Sequence, residues 1–391
     1  MLDSMNGVRG WAALVVFFYH SIPLFYPVIA TQKQDLARGF VDALIAKSPL
    51  YALLNGAFAV FIFFVLSGFV LSVQFFKNKA RINIISAMLR RYFRLAIPIF
   101  SANLFILFCI YFNLFHENEM VKIGMLTDGL QKYNFTFNSY NIFQESFVKV
   151  FTERSTVMNL VLWTMQYELI GSYIVFLTII LFGTSKLRIA FYLFFMIFLG
   201  KLVGYYVIYY KCFMFGVILA DIYVNFPKAK TPPKPFLFEI FYISIAIFGL
   251  FLGSMPIEIV DPSQYQSIMQ KITRGVGFDG VYALGGCLVV SGVLFSNNLE
   301  KIFKSKISLF LGKISFCLYL IHIPVVFTFG YYIFSFLHHN NFRHNTAFFI
   351  YITLTMVAIL IISYYFEKLI DKPFNSLARR WVGNILGMHR S

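Results

Sequence analysis

Apolar residues gather along this chain into runs bounded by charges, prolines or polar clusters, and most runs approach the roughly 20 residues a helix needs to cross a bilayer. They place spans near residues 10–30, 50–76, 95–115, 157–182, 188–209, 212–225, 236–253, 276–296, 308–335 and 346–367. The first run is not read as a signal peptide, because Arg9 and His20 interrupt it and no clear Ala-x-Ala cleavage site follows. The pattern predicts an all-α, polytopic integral membrane bundle of about 10 transmembrane helices, forming a single membrane-embedded domain over residues 1–391. One connection, 116–155, is long; it is too polar to span and too short for a catalytic domain, and is read as an outer loop placed to cap an outer cavity.

Composition narrows the function. Of 391 residues, 59% are hydrophobic and 13% charged, too little polar surface to clothe a soluble globule, so a water-soluble enzyme is excluded. In a soluble domain, 33 Lys and Arg against 17 Asp and Glu would point to nucleic acid; here the excess reports orientation, and no nucleic-acid partner is expected. Ten helices put both termini on one side, and that side carries 21 basic residues against 12 on the other, so both termini are expected to be cytoplasmic. Cys109, Cys212, Cys287 and Cys317 lie in apolar stretches without metal-like spacing and are read as packing residues.

Three further patterns are set aside. Gly275 to Gly280 matches Gly-x-Gly-x-x-Gly but has no strand or Rossmann unit around it. His338, His339 and His344 sit in a connection with no acidic partner nearby, so no metal is expected. Asn134-Phe135-Thr136 is a glycosylation sequon only in a host that glycosylates.

Any chemistry must then use ionisable residues in the spans, which are costly there and face a cavity or a partner. Arg9 and His20 stand 11 residues apart, within about 20° of one helix face and about 16 Å apart along the axis, so one ligand can touch both. Arg9 is expected at the cytoplasmic edge and His20 near the midplane, where a neutral imidazole can accept a proton; alternatively Arg9 snorkels to headgroups and His20 ties two helices together. Arg90, Arg91 and Arg94 precede Leu95 and Pro98 on a helix entering from the cytoplasm, a fork suited to phosphate oxygens or, alternatively, an orientation signal binding anionic lipid. Glu168, with Tyr167 beside it, is expected near the outer end of the fourth span, placed to orient an imidazole, bind a sugar hydroxyl or form a plain ion pair. His322 lies in the ninth span before Pro324, which frees a backbone carbonyl; a helix-packing histidine is the alternative.

Taken in order, several segments resemble the acyltransferase-3 family, membrane O-acyltransferases that modify cell-surface sugars and related acceptors. They are Gly7-Val8-Arg9-Gly10-Trp11-Ala12-Ala13-Leu14 with His20, Phe63-Phe64-Val65-Leu66-Ser67-Gly68-Phe69, Arg91-x-x-Arg94 with Pro98, and Leu162-Trp163-Thr164 with Glu168. Leu311-Gly312-Lys313-Ile314-Ser315-Phe316, Tyr319-Leu320-Ile321-His322-x-Pro324 and Phe366-Glu367 near Pro373 complete the set, which covers nearly the whole chain. Two features depart from the family. Met5-Asn6 stands where a Leu-Asp commonly precedes the Gly-Leu-Arg-Gly motif, and the extracellular SGNH-type hydrolase domain of some members is absent, so a relayed mechanism would need a separate partner.

The resemblance implies a cytoplasmic acyl-CoA donor, most plausibly acetyl-CoA, a carbohydrate hydroxyl acceptor arriving from outside, and a bacterial cytoplasmic (inner) membrane. Arg9, Arg90, Arg91 and Arg94 would hold the donor phosphates, His20 would remove the acceptor proton or carry the acyl group, and Glu168 would orient the site, with Ser67, Tyr167 and His322 in support. Membrane lipid is the other expected partner, and the oligomeric state is left open. The competing class is a non-enzymatic transporter or exporter of a surface-polysaccharide precursor, which a bundle with intramembrane His, Arg and Glu would also serve.

Overall fold

The computed structural model describes residues 2–123, 139–203, 207–226, 236–256 and 264–387; the 134–136 sequon and the basic connection at 228–234 lie outside them. The principal helices are α1 (Leu2–Ser21), α2 (Gly56–Asn78), α3 (Arg81–Tyr111), α4 (Thr164–Phe182), α5 (Arg188–Val203) and α6 (Val207–Asn225). They continue with α7 (Phe236–Gly253), α8 (Gln264–Phe295), α9 (Lys306–Val325), α10 (His344–Phe366) and α11 (Lys372–Ile385). Among the described residues there is no strand.

Among the described residues, eight helical stretches are long and apolar enough to cross a membrane, where the runs predict about ten; the chain is an integral membrane protein. Two of the predicted spans fall short. The first run is not one helix over 10–30: α1 starts at Leu2, takes in Asp3, Asn6 and Arg9, and stops at Ser21, with a short helix Pro27–Thr31 after the turn. Among the described residues of the run at 188–209, the start of α5 gives a shorter apolar stretch over Arg188–Phe198. The Gly-x-Gly-x-x-Gly stretch marks a break in α8, where Gly277 adopts a φ of +73°, a region open to glycine and avoided by residues with a Cβ.

The core is built around α2, whose Phe58, Phe64, Val65 and Phe69 are buried and which packs against α1, α4, α6 and α8. α1 runs parallel to α9 at a separation only small residues permit: a Cβ on Gly10 would lie 2.4 Å from the Gly312 nitrogen, and one on Gly312 would lie 2.3 Å from the Asn6 carbonyl oxygen. Both obstacles are backbone, so the helices must separate to accept a methyl. Gly10→Ala is therefore expected to destabilise the fold by about 1–3 kcal/mol, read as a lower thermal midpoint in detergent.

The connection at 116–155 is not held apart from the bundle. Its described part carries the short helices Glu117–Lys122 and Ser139–Gln144, and a π-helical turn over Glu145–Lys149 leads on to Thr152. The Phe147 carbonyl accepts from the Tyr92 hydroxyl at 2.5 Å, and Asn103 Nδ2 donates to Ser146 Oγ at 2.8 Å, both on α3. Tyr92 lies 19 residues before Tyr111, about 28 Å from that end of α3, so the segment descends alongside the helix. Asn159 continues the descent, its Nδ2 donating to the Leu320 carbonyl at 2.7 Å, and regular α-helix resumes only at Thr164.

Candidate active site

That descent sets the depth of Glu168. The residue was expected near the outer end of its span and Arg91 at the opposite, cytoplasmic edge, yet the two side chains form an ion pair. The first turn of α4 is already inside the bundle, and Arg91 is ten residues, about 15 Å, into α3, because that helix starts at Arg81 and not at Leu95. Ser67 on α2 donates to the same Glu168 carboxylate at 2.7 Å, and Arg91 Nε donates to Ser172 Oγ at 2.7 Å. The four side chains join α2, α3 and α4.

Beside this network is a cavity of about 290 Å³ walled by α1, α2, α3, α4 and α9 and by residues following α10. Arg9, Arg91, Arg94, Lys313 and Lys372 reach it as cations, against the carboxylates of Glu168, Glu367 and Asp371. Two of those carboxylates are engaged, Glu168 by Arg91 and Glu367 by Lys313 Nζ at 3.4 Å. Arg9 Nε donates to Ser315 Oγ at 3.0 Å, and a second guanidinium nitrogen donates to the Gly312 carbonyl at 3.4 Å. Arg94 makes no hydrogen bond or ion pair with any described residue, although its guanidinium lines the cavity. A site with unspent guanidinium capacity and an excess of positive charge suits an anionic, phosphate-bearing ligand.

The imidazoles lie next to this cavity, not in its lining. His20 and His322 face each other with ring centroids 5.3 Å apart. His322 is fully buried, its Nδ1 sits 3.1 Å from the Leu318 carbonyl, and its Nε2 has no hydrogen-bond partner among the described residues. With the Nδ1 proton directed at that carbonyl, Nε2 is a bare acceptor. Tyr319 adjoins both: it lines the cavity, its ring is 6.1 Å from His322, and its hydroxyl bonds Thr164 Oγ1 at 2.7 Å and the Val161 carbonyl at 2.8 Å.

Of the residues singled out from sequence, Arg9, Arg91, Arg94, Glu168 and Ser67 converge on the cavity, and His20 pairs with His322. Two do not converge. Arg90 Nε donates to the Ser86 carbonyl one turn back at 3.0 Å, and Tyr167 accepts from Arg154 at 2.7 Å while its ring packs on Tyr209. Lys313, Ser315, Tyr319 and Asp371 line the cavity without having been singled out as site residues. Ser308, Gly312 and Ser315, spaced as small residues at a helix contact, are the signal in the sequence that could have set one face of α9 against α1. Among the described residues no three His, Cys, Asp or Glu side chains gather as a metal site would require.

The fold and the cavity together define an integral membrane protein with a cation-rich cavity among its helices. The chain belongs to the acyltransferase-3 family, whose acyltransferase domain matches residues 2–368, and it is accordingly a membrane acyltransferase. No curated protein and no solved structure matches the chain.

Proposed function

We propose that the protein transfers an acyl group, acetyl in the simplest case, from a cytoplasmic acyl-CoA to a hydroxyl of a cell-surface carbohydrate or related acceptor, in a bacterial cytoplasmic membrane with both termini inside. The observation that carries the reading is the adjacency of a cavity rich in arginine and lysine and an imidazole pair, half-buried His20 and fully buried His322, with Tyr319 lining the one and neighbouring the other. At about 290 Å³ the cavity is at the small end of ligand pockets, so it takes part of a CoA thioester, with the remainder outside it. Arg9 and Arg94 hold phosphate oxygens, and the extended pantetheine arm carries the thioester toward the imidazoles.

In the chemical step an imidazole nitrogen of the pair, His20 first among them, takes the proton of the acceptor hydroxyl as its oxygen attacks the thioester carbonyl. The carbon–sulfur bond breaks, the ester forms, and the departing thiolate takes the proton from the imidazolium to leave as free CoA. An acyl-imidazole intermediate is the two-step variant of the same exchange. Glu168, held by Arg91 and Ser67, positions the donor side of the site.

Sealed proteoliposomes, with carbohydrate acceptor enclosed and labelled acetyl-CoA outside, separate this reading from the transporter class. The expected result is labelled ester inside and free CoA outside in equal amounts. Movement of acceptor across the bilayer without consumption of acetyl-CoA would contradict it.

A further inference from the structure

We infer that α11 is an interfacial helix that binds an anionic lipid surface through Arg379 and Arg380, with Arg90 of α3 completing the basic patch. The inference goes beyond acyl transfer and does not depend on it.

The sequence of α11 divides into faces. At about 100° per residue, Phe374, Leu377, Trp381 and Ile385 fall within about 80° of one another, while Lys372, Ser376, Arg379 and Arg380 occupy roughly the opposite side. The structure leaves the apolar set uncovered: Leu377 is 60% exposed, Trp381 56% and Ile385 61%. Contacts with the rest of the protein come from the flank between the faces and from one residue of each face. Val382 is buried, Trp381 touches Phe93 of α3 edge to face at 6.0 Å, and Lys372 and Asn375 form part of the cavity wall.

A helix of this kind, attached directly to the end of a membrane-crossing stretch, sits where an apolar face can enter the acyl-chain boundary while the basic face meets headgroups. The charges identify the headgroup. Arg379 lies close enough to Arg90 and Arg94 for mutual repulsion, and neither Arg379 nor Arg380 makes an ion pair or hydrogen bond with a described residue. Uncompensated guanidinium groups beside an interfacial apolar face call for anions held at that level, which is what an anionic bilayer supplies. Arg90 fits this patch better than the cavity, from which its side chain turns away.

The test uses the full-length protein in nanodiscs of phosphatidylcholine alone or with phosphatidylglycerol. Lipid retained by the wild type in native mass spectrometry is expected to favour phosphatidylglycerol. Because each arginine at an anionic surface is worth about fivefold in partitioning, Arg379→Glu/Arg380→Glu is expected to cut that preference at least about 25-fold. The variant's thermal midpoint in phosphatidylcholine should equal that of the wild type. Should the variant fail to fold, quenching of the wild type by brominated lipid still decides, since a quenched component absent from Trp381→Phe is expected. No preference for phosphatidylglycerol in the wild type, a preference unchanged by the double reversal, or an unquenched Trp381 would overturn the inference. So would inorganic phosphate reproducing the stabilisation given by phosphatidylglycerol, because the patch would then be an ion site and not a membrane surface.

Discussion

His20→Ala is expected to lower acyl transfer by about 10²- to 10⁴-fold while leaving acetyl-CoA affinity unchanged. The split follows from placement: His20 faces His322 across 5.3 Å but does not line the cavity whose cations we propose hold the donor. His322→Ala reports on the other half of the pair. Its Nε2 is buried without a described partner, so loss of the ring removes a proton acceptor from the site, with the stability cost of an emptied buried position read separately from the thermal midpoint. Binding by equilibrium dialysis and turnover by free thiol release, measured on the same preparations, check both variants. Near wild-type turnover in His20→Ala would remove imidazole chemistry at that position.

Arg91→Ala and Arg94→Ala are expected to differ sharply, although both arginines line the same cavity. Arg91 and Glu168 are a largely buried pair, with 10% and 15% of their side chains exposed, and Ser67 and Ser172 complete the network. Removing Arg91 leaves a buried carboxylate uncompensated, which costs about 3–5 kcal/mol of stability; Arg91→Ala/Glu168→Ala should recover part of that loss. Arg94 has no hydrogen-bonded partner among the described residues, and Asp371 attracts it only from beyond ion-pair distance, so Arg94→Ala should lower the thermal midpoint less than Arg91→Ala and weaken acetyl-CoA binding by about 10- to 100-fold. Lysine should substitute poorly at Arg94, because a point charge does not reproduce a bidentate fork. Thermal unfolding and donor titration on the three single variants and the double variant distinguish these expectations; equal donor affinity in Arg94→Ala and wild type would contradict them.

The membrane bundle was legible because long apolar runs have no other stable arrangement in a chain this poor in charge. Much of the site was legible for the same reason: Arg9, Arg91, Arg94 and Glu168 are expensive in such runs and converge on one cavity. Depth was not legible. A hydropathy run gives the length of a segment and not its starting level, so the descent of 139–163 beside α3 was hidden, and Glu168 and Arg91 were expected on opposite sides. The helices themselves were also misjudged at their polar ends. α1 begins at Leu2 and α3 at Arg81, both before the apolar stretch that marked them, because buried polar contacts support the extra turns. Arg90 and Arg91 are adjacent in sequence and about 100° apart around the helix, which sends one toward α11 and the other into the cavity.

The most direct test of acyl transfer through this site is release of free CoA from acetyl-CoA by the purified protein in nanodiscs, with and without a carbohydrate hydroxyl acceptor. The expected result is release that depends on the acceptor, matches the ester formed, and is lost in His20→Ala. Absence of turnover together with absence of acetyl-CoA binding to the wild type would contradict it and favour a different donor or the transporter class.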